Sequence, residues 1–250
     1  MKHLVMLGIL AVGVACVGTN DPGRNASVQV SFATRAAPPP LFRASLAGVL
    51  GDTVVVGADT IVLESVELVL KEIEMKRVET PDCVSGDDAC EKFELGPVLV
   101  SLPLTPGAQQ AFALDSAPAA SYNEIEFDIH KPDDGDPDDQ AFVAANPDFA
   151  AISIRVRGTF NGTTFEFTTD LNVEQELPLV PPLVITEATG TNVTLRVDLS
   201  TWFRNGSGVL VDPASGNKGG QNESVITENI KVSFHAFEDE DRDGDDSDED

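Results

Sequence analysis

Residues 61–78, IVLESVELVLKEIEMKRV, decide what kind of fold this chain adopts, because they can be read at two periods. At helical spacing Val62, Val66, Val69 and Ile73 share a face; at strand spacing Val66, Leu68 and Leu70 line up on one side. The stretch is rich in β-branched residues, which lose rotamer freedom in a helix and pack well on a pleated surface. It is therefore predicted to be one long or bent strand. The neighbouring segments agree. Val28, Val30 and Phe32 alternate with polar residues, as do Ile125, Phe127 and Ile129, and again Ile152, Ile154 and Val156. Each reads as a strand with one wet face. Asn161-Gly162 between two β-prone runs marks a tight hairpin over residues 152–168. Further strands are predicted at residues 183–186, 191–199 and 229–237, and one short helix at 138–146, which carries aspartates at its N-terminal end.

About ten strands without βαβ alternation imply an all-β fold, an antiparallel β-sandwich, Ig-like or related, with few short helices. The body spans residues 27–237. It forms one sandwich, or two packed sandwiches divided into 27–131 and 140–237 at the acidic linker 131–139.

Of the 250 residues, 42 are acidic and 16 basic, a formal charge of −26, so a polyanion would be repelled and nucleic acid is excluded as a partner. The acids are clustered. Residues 238–250 hold ten acids and one base, and residues 133–139 hold five acids and no base. Such clustering points to local cation binding or to solvated segments rather than to a uniformly acidified surface.

At the N-terminus Met1-Lys2-His3 precedes an apolar run of twelve residues, 4–15. A helix of that length spans roughly 18 Å, short of a bilayer core of about 30 Å, so residues 1–15 read as a secretory signal peptide. Ala15-Cys16 resembles the lipobox of bacterial lipoproteins, with Gly13 where Leu or Val is preferred. That resemblance implies acylation of Cys16, a tether over residues 16–26, and membrane attachment through the N-terminal lipid. The protein is then exported, to the outer membrane, the cell surface or the periplasm. Cys83 and Cys90 flank a Gly/Asp loop, and in an oxidising compartment they are expected to form a disulfide; zinc would need closer spacing and histidines.

The segments ESVELVLKEIEMKRV, FELGPVLVSLPL and APAASYNEIEFDIH, in that order, resemble the uncharacterised lipoprotein-associated family DUF4382. Ala117-Pro118-Ala119-Ala120-Ser121-Tyr122 stands where that family has a Leu-Pro-x-Gly-x-Tyr turn, with Ala120 at the glycine. The resemblance covers residues 45–237 and implies an exported β-sandwich without established catalytic residues.

No nucleophile motif is visible. Apart from His3 in the signal segment, the chain has only His130 and His235, and Gly-x-Ser-x-Gly, His-Glu-x-x-His and Cys-x-x-Cys are all missing. Two acidic segments are candidate metal sites. Asp239, Asp241, Asp243, Gly244, Asp245, Ser247 and Asp250 match positions 1, 3, 5, 6, 7, 9 and 12 of a Ca²⁺ loop; Asp246 and Asp250 stand where an apolar residue and a bidentate Glu are usual. A solvated, disordered tail over 238–250 is the competing reading. Asp133, Asp134, Asp136 and Asp138, followed by Asp139, form a second candidate Ca²⁺ site in a loop closed by strands.

The expected protein is thus a non-enzymatic, lipid-anchored binding or display module with Ca²⁺ at its acidic loops and a protein or glycan ligand. Two alternatives remain open. A carbohydrate- or matrix-binding module would expose Trp202 and Phe203 as a platform. A carboxylate-based hydrolase would bring Glu64, Glu67 and Glu124 into one cleft.

Overall fold

The computed structural model describes residues 26–34, 52–80, 96–105, 108–186 and 191–239. Cys16, Cys83, Cys90, Asp241, Asp243, Asp245 and Asp250 lie outside the described residues. The strands are β1 (Ala26–Thr34), β2 (Asp52–Val56), β3 (Asp59–Arg77), β4 (Val98–Ser101), β5 (Gln109–Ala117), β6 (Ser121–Ile129), β7 (Ile154–Phe160), β8 (Thr163–Thr169), β9 (Val173–Val184), β10 (Thr191–Val197) and β11 (Phe234–Glu238). Among the described residues two α-helices accompany them, α1 (Pro137–Ala145) and α2 (Glu223–Lys231). A four-stranded sheet, in the order β11-β10-β1-β5, faces a seven-stranded sheet built along β8-β7-β3-β6-β9, with β2 and β4 also paired to β3.

The stretch read first as a strand is the spine of the larger sheet. β3 is the shared partner of β2, β4, β6 and β7, and its register against β6 shifts between Leu70 and Ile73. Leu68, Val69 and Leu70 are consecutive and all buried, which a flat strand with one wet face would not allow. Leu68 and Leu70 enter the sandwich core, whereas Val69 joins a small separate cluster with Phe142 of α1 and Phe149. That second cluster seats α1 and the acidic loop that leads into it.

The core lies between the sheets. Val28, Val30 and Phe32 of β1 and Val193, Leu195 and Val197 of β10 belong to one cluster with Ile73, Met75, Ile125, Phe127 and Ile129. Phe32 and Phe234 each meet Phe127 edge-on, at 6.2 Å and 5.4 Å. Each fully buried aliphatic or aromatic side chain here contributes roughly 1.5–3 kcal/mol. The cluster draws on residues before and after 131–139, and strands from both sides pair: β1 with β10, β3 with β7.

The structure differs from the sequence reading in several places. β1 and β10 run parallel within an otherwise antiparallel pair of sheets. Residues 229–231 belong to α2 and not to a strand: Ile226 and Ile230, one helical turn apart, are the buried residues, while Val232 is 71% exposed. Residues 238 and 239 belong with the sheet as well, since Glu238 closes β11 and Asp239 is buried. The hairpin is as expected, with Asn161 and Gly162 both at positive φ between β7 and β8. Among the described residues, no helix is long and apolar enough to cross a membrane.

Candidate functional site, a carboxylate row and an acidic loop

Alternation along β6 sends Ile125, Phe127 and Ile129 into the core and leaves Glu124, Glu126 and Asp128 on the opposite face. The registers of the flanking strands bring more carboxylates beside them. Glu74 of β3 lies opposite Glu126, and Glu126 lies opposite Glu176 of β9, so three acids stand in line across three strands. Asp128 lies opposite Glu174. Like charges directly opposite each other oppose strand pairing. At roughly 5 Å each pair repels by about 1 kcal/mol in bulk water and about 3 kcal/mol at an effective dielectric near 20.

One ammonium offsets this. Lys76 Nζ is 2.8 Å from Glu124, 2.6 Å from Glu126 and 3.7 Å from Glu176. The Lys76 ammonium is held far above the usual lysine range, chiefly by its hydrogen bonds to Glu124 and Glu126. Glu174, hydrogen-bonded to Glu126, is pushed up to about 7 by that bond and by the Glu126 charge. Burial would raise Glu126, but the hydrogen bonds from Glu174 and Lys76 prevail and hold it below the usual carboxylate range. Among the described residues, the set of three potential ligands that offers one atom each within 4.8 Å of the others is Glu124, Glu126 and Glu176. An open depression of about 410 Å³ lies beside it, lined by Glu174, Gln175 and Glu176.

Further along the same face is the predicted acidic loop, which its own hydrogen bonds organise. Asp136 caps α1 by accepting from the Asp138 N–H, with Pro137 in the first turn. That N–H, and then Lys71, hold Asp136 below the usual range. Asp133 accepts from the Gly135 N–H. Asp134 and Asp138 are exposed. The residue at the centre is Asp139, fully buried: its Oδ2 accepts from the Asp133 N–H at 2.7 Å and lies 3.3 Å from His130 Nε2 and 3.8 Å from Lys71 Nζ. Sequence reading placed Asp139 in the loop without singling it out; its position in the first turn of a helix packed by Phe142 was the available signal.

No family model matches the chain, and no curated protein matches it. Among solved structures, MbnP from Methylosinus trichosporium is similar at 13% identity and a TM-score of 0.40, covering 86% of this chain and 99% of that one.

The remaining predicted residues are dispersed. Asp239 accepts from Thr194 Oγ1 at 2.6 Å and from Gln109 Nε2 at 2.8 Å within a buried polar group that includes Asn192 and Ser31. Its carboxylate is already engaged with the four-stranded sheet. Trp202 is fully buried and donates its Nε1–H to Ser233 Oγ at 2.8 Å, so it forms no exposed platform. Phe203 packs beside it against Phe165 and Phe167. Glu67 pairs with Arg155 at 2.9 Å, Glu124 with Lys76, and Glu64 lines a separate depression of about 250 Å³ with Ser101 and Leu102. The three carboxylates offered for hydrolysis thus have three different settings.

Proposed function

We propose that this chain is a non-enzymatic binding or display module of the cell envelope, exported and moored by a lipid on Cys16. On this reading it belongs with the DUF4382 proteins that it resembles. Its working surface is the outer face of the seven-stranded sheet, which takes a hard divalent cation, Ca²⁺ first among them, and with it a protein or glycan ligand.

The observation that carries this reading is the alignment of Glu74, Glu126 and Glu176 across three adjacent strands. Carboxylates in register weaken a sheet, and Lys76 serves Glu124, Glu126 and Glu176 at once. Oxygen-only donors on a solvated face match the coordination preferences of Ca²⁺ and Mg²⁺ over those of softer metals. The burial of Trp202 takes away the aromatic surface that a stacking glycan would need, and the charge of −26 disfavours nucleic acid.

The test is a thermal melt of the full-length chain with and without millimolar Ca²⁺. At 100 times its dissociation constant from the row the ion should stabilise the fold by about 2.7 kcal/mol, and a Glu126→Gln/Glu176→Gln variant should lose that part of the Ca²⁺ gain. An equal gain in that variant would remove the row from the proposal. For the anchor, Cys16→Ser should move the protein from the membrane to the soluble fraction. Retention on the membrane would overturn lipidation.

A further inference from the structure

We infer that the loop between β6 and α1 is a second, separate cation site in which Asp139 is the inner ligand and the Lys71 ammonium occupies the position that a divalent ion would take. The Asp139 side chain is completely buried, yet its Oδ1 has no hydrogen-bond donor among the described residues. Buried carboxylate oxygens are ordinarily satisfied, and an exception points to a bound ion or water. This carboxylate stands inside the acidic loop, because its other oxygen touches the Asp133 N–H and His130 and faces Lys71.

The surroundings select a cation. Lys71 Nζ lies 3.2 Å from Asp136 Oδ2 and 3.8 Å from Asp139 Oδ2, so two carboxylates from the start of α1 already converge on one positive charge. Asp133 and Asp134 add charge and carbonyl oxygens in the same loop, and Gln140 donates to the Asp134 carbonyl, which fixes the turn. Lys71 sits on a long stem and is partly exposed, so it can swing out while the buried Asp139 cannot. The donors are all hard oxygen, which suits Ca²⁺.

The inference does not depend on the row of glutamates, and the experiment separates the two. Ca²⁺ alone is titrated calorimetrically into the full-length chain carrying Glu126→Gln/Glu176→Gln. One ion should still bind there, at least tenfold more weakly after Asp139→Asn or Asp136→Asn, and at least threefold more tightly after Lys71→Met. Asn caps a helix about as well as Asp, so Asp136→Asn keeps the start of α1 and reports on charge even if Asp139→Asn does not fold. Absence of binding in the row-deficient background, unchanged affinity in Asp136→Asn, or no tightening in Lys71→Met would each overturn the site and leave a water as the partner of Oδ1. Failure of the row would look different: the row-deficient protein would bind as many ions as the wild type.

Discussion

Glu174 of β9 is hydrogen-bonded to Glu126 of β6, and that contact pushes the Glu174 carboxyl up to about 7 while Glu126 is held below the usual range. A folded-state acid that titrates near 7, against about 4.5 when unfolded, binds its proton more tightly in the native state. The native state is thus favoured below about 4.5, and that contribution is lost as pH rises through about 7. Because Glu174 is exposed, solvent screens the effect and its size is modest. Urea unfolding at pH 5 and pH 8 checks it. The fall in stability between the two should shrink in Glu174→Gln, and an identical fall would dismiss the raised titration of Glu174.

Lys76→Met leaves Glu124, Glu126 and Glu176 without their common ammonium. The expected loss is about 1–2 kcal/mol, the order of a charge-assisted contact on a partly covered face. Millimolar Ca²⁺ should recover more stability in this variant than in the wild type. Chemical denaturation with and without the ion measures both quantities.

Trp202 is the single tryptophan of the chain and is wholly enclosed. Its fluorescence should be blue-shifted and resist iodide quenching in the folded protein. Trp202→Ala should cost about 3–5 kcal/mol, through the cavity between Phe203 and the helix-end Ser233. Calorimetric melting of the variant gives the value.

Gly158 occupies the part of β7 that passes the register shift of β3 between Leu63 and Ser65. A Cβ there would overlap the Val62 backbone carbonyl, which cannot rotate aside. Gly158→Ala should therefore destabilise by more than the ~1–3 kcal/mol usual for overpacking against side chains. A Gly162→Ala control meets no atom but sits at φ 78°, so its cost is backbone strain alone.

Alternation made the sandwich readable wherever one face of a strand was wet. It misled at residues 229–237, because Ile230, Val232, Phe234 and Ala236 alternate across what is in fact a helix end followed by a strand. The better signal was Ile226 and Ile230 at a spacing of four. β9 extends well upstream of the predicted 183–186, and Pro178, Pro181 and Pro182 hid it. Proline forfeits a donor, a loss tolerated at the margin of a sheet.

The candidate site was legible only one strand at a time. Glu124 and Glu126 could be seen to share a face, but their meeting with Glu74 and Glu176 depends on the registers of β3 and β9, which no local pattern encodes. The same holds for Asp139. Its burial follows from the docking of Phe142 on Val69, a contact between residues 73 positions apart.

The first strand is clamped on both sides, parallel to β10 and antiparallel to β5. Freeing β1 therefore breaks two ladders, where a border strand is held by one. The strand that follows the proposed mooring is thus an interior member of its sheet.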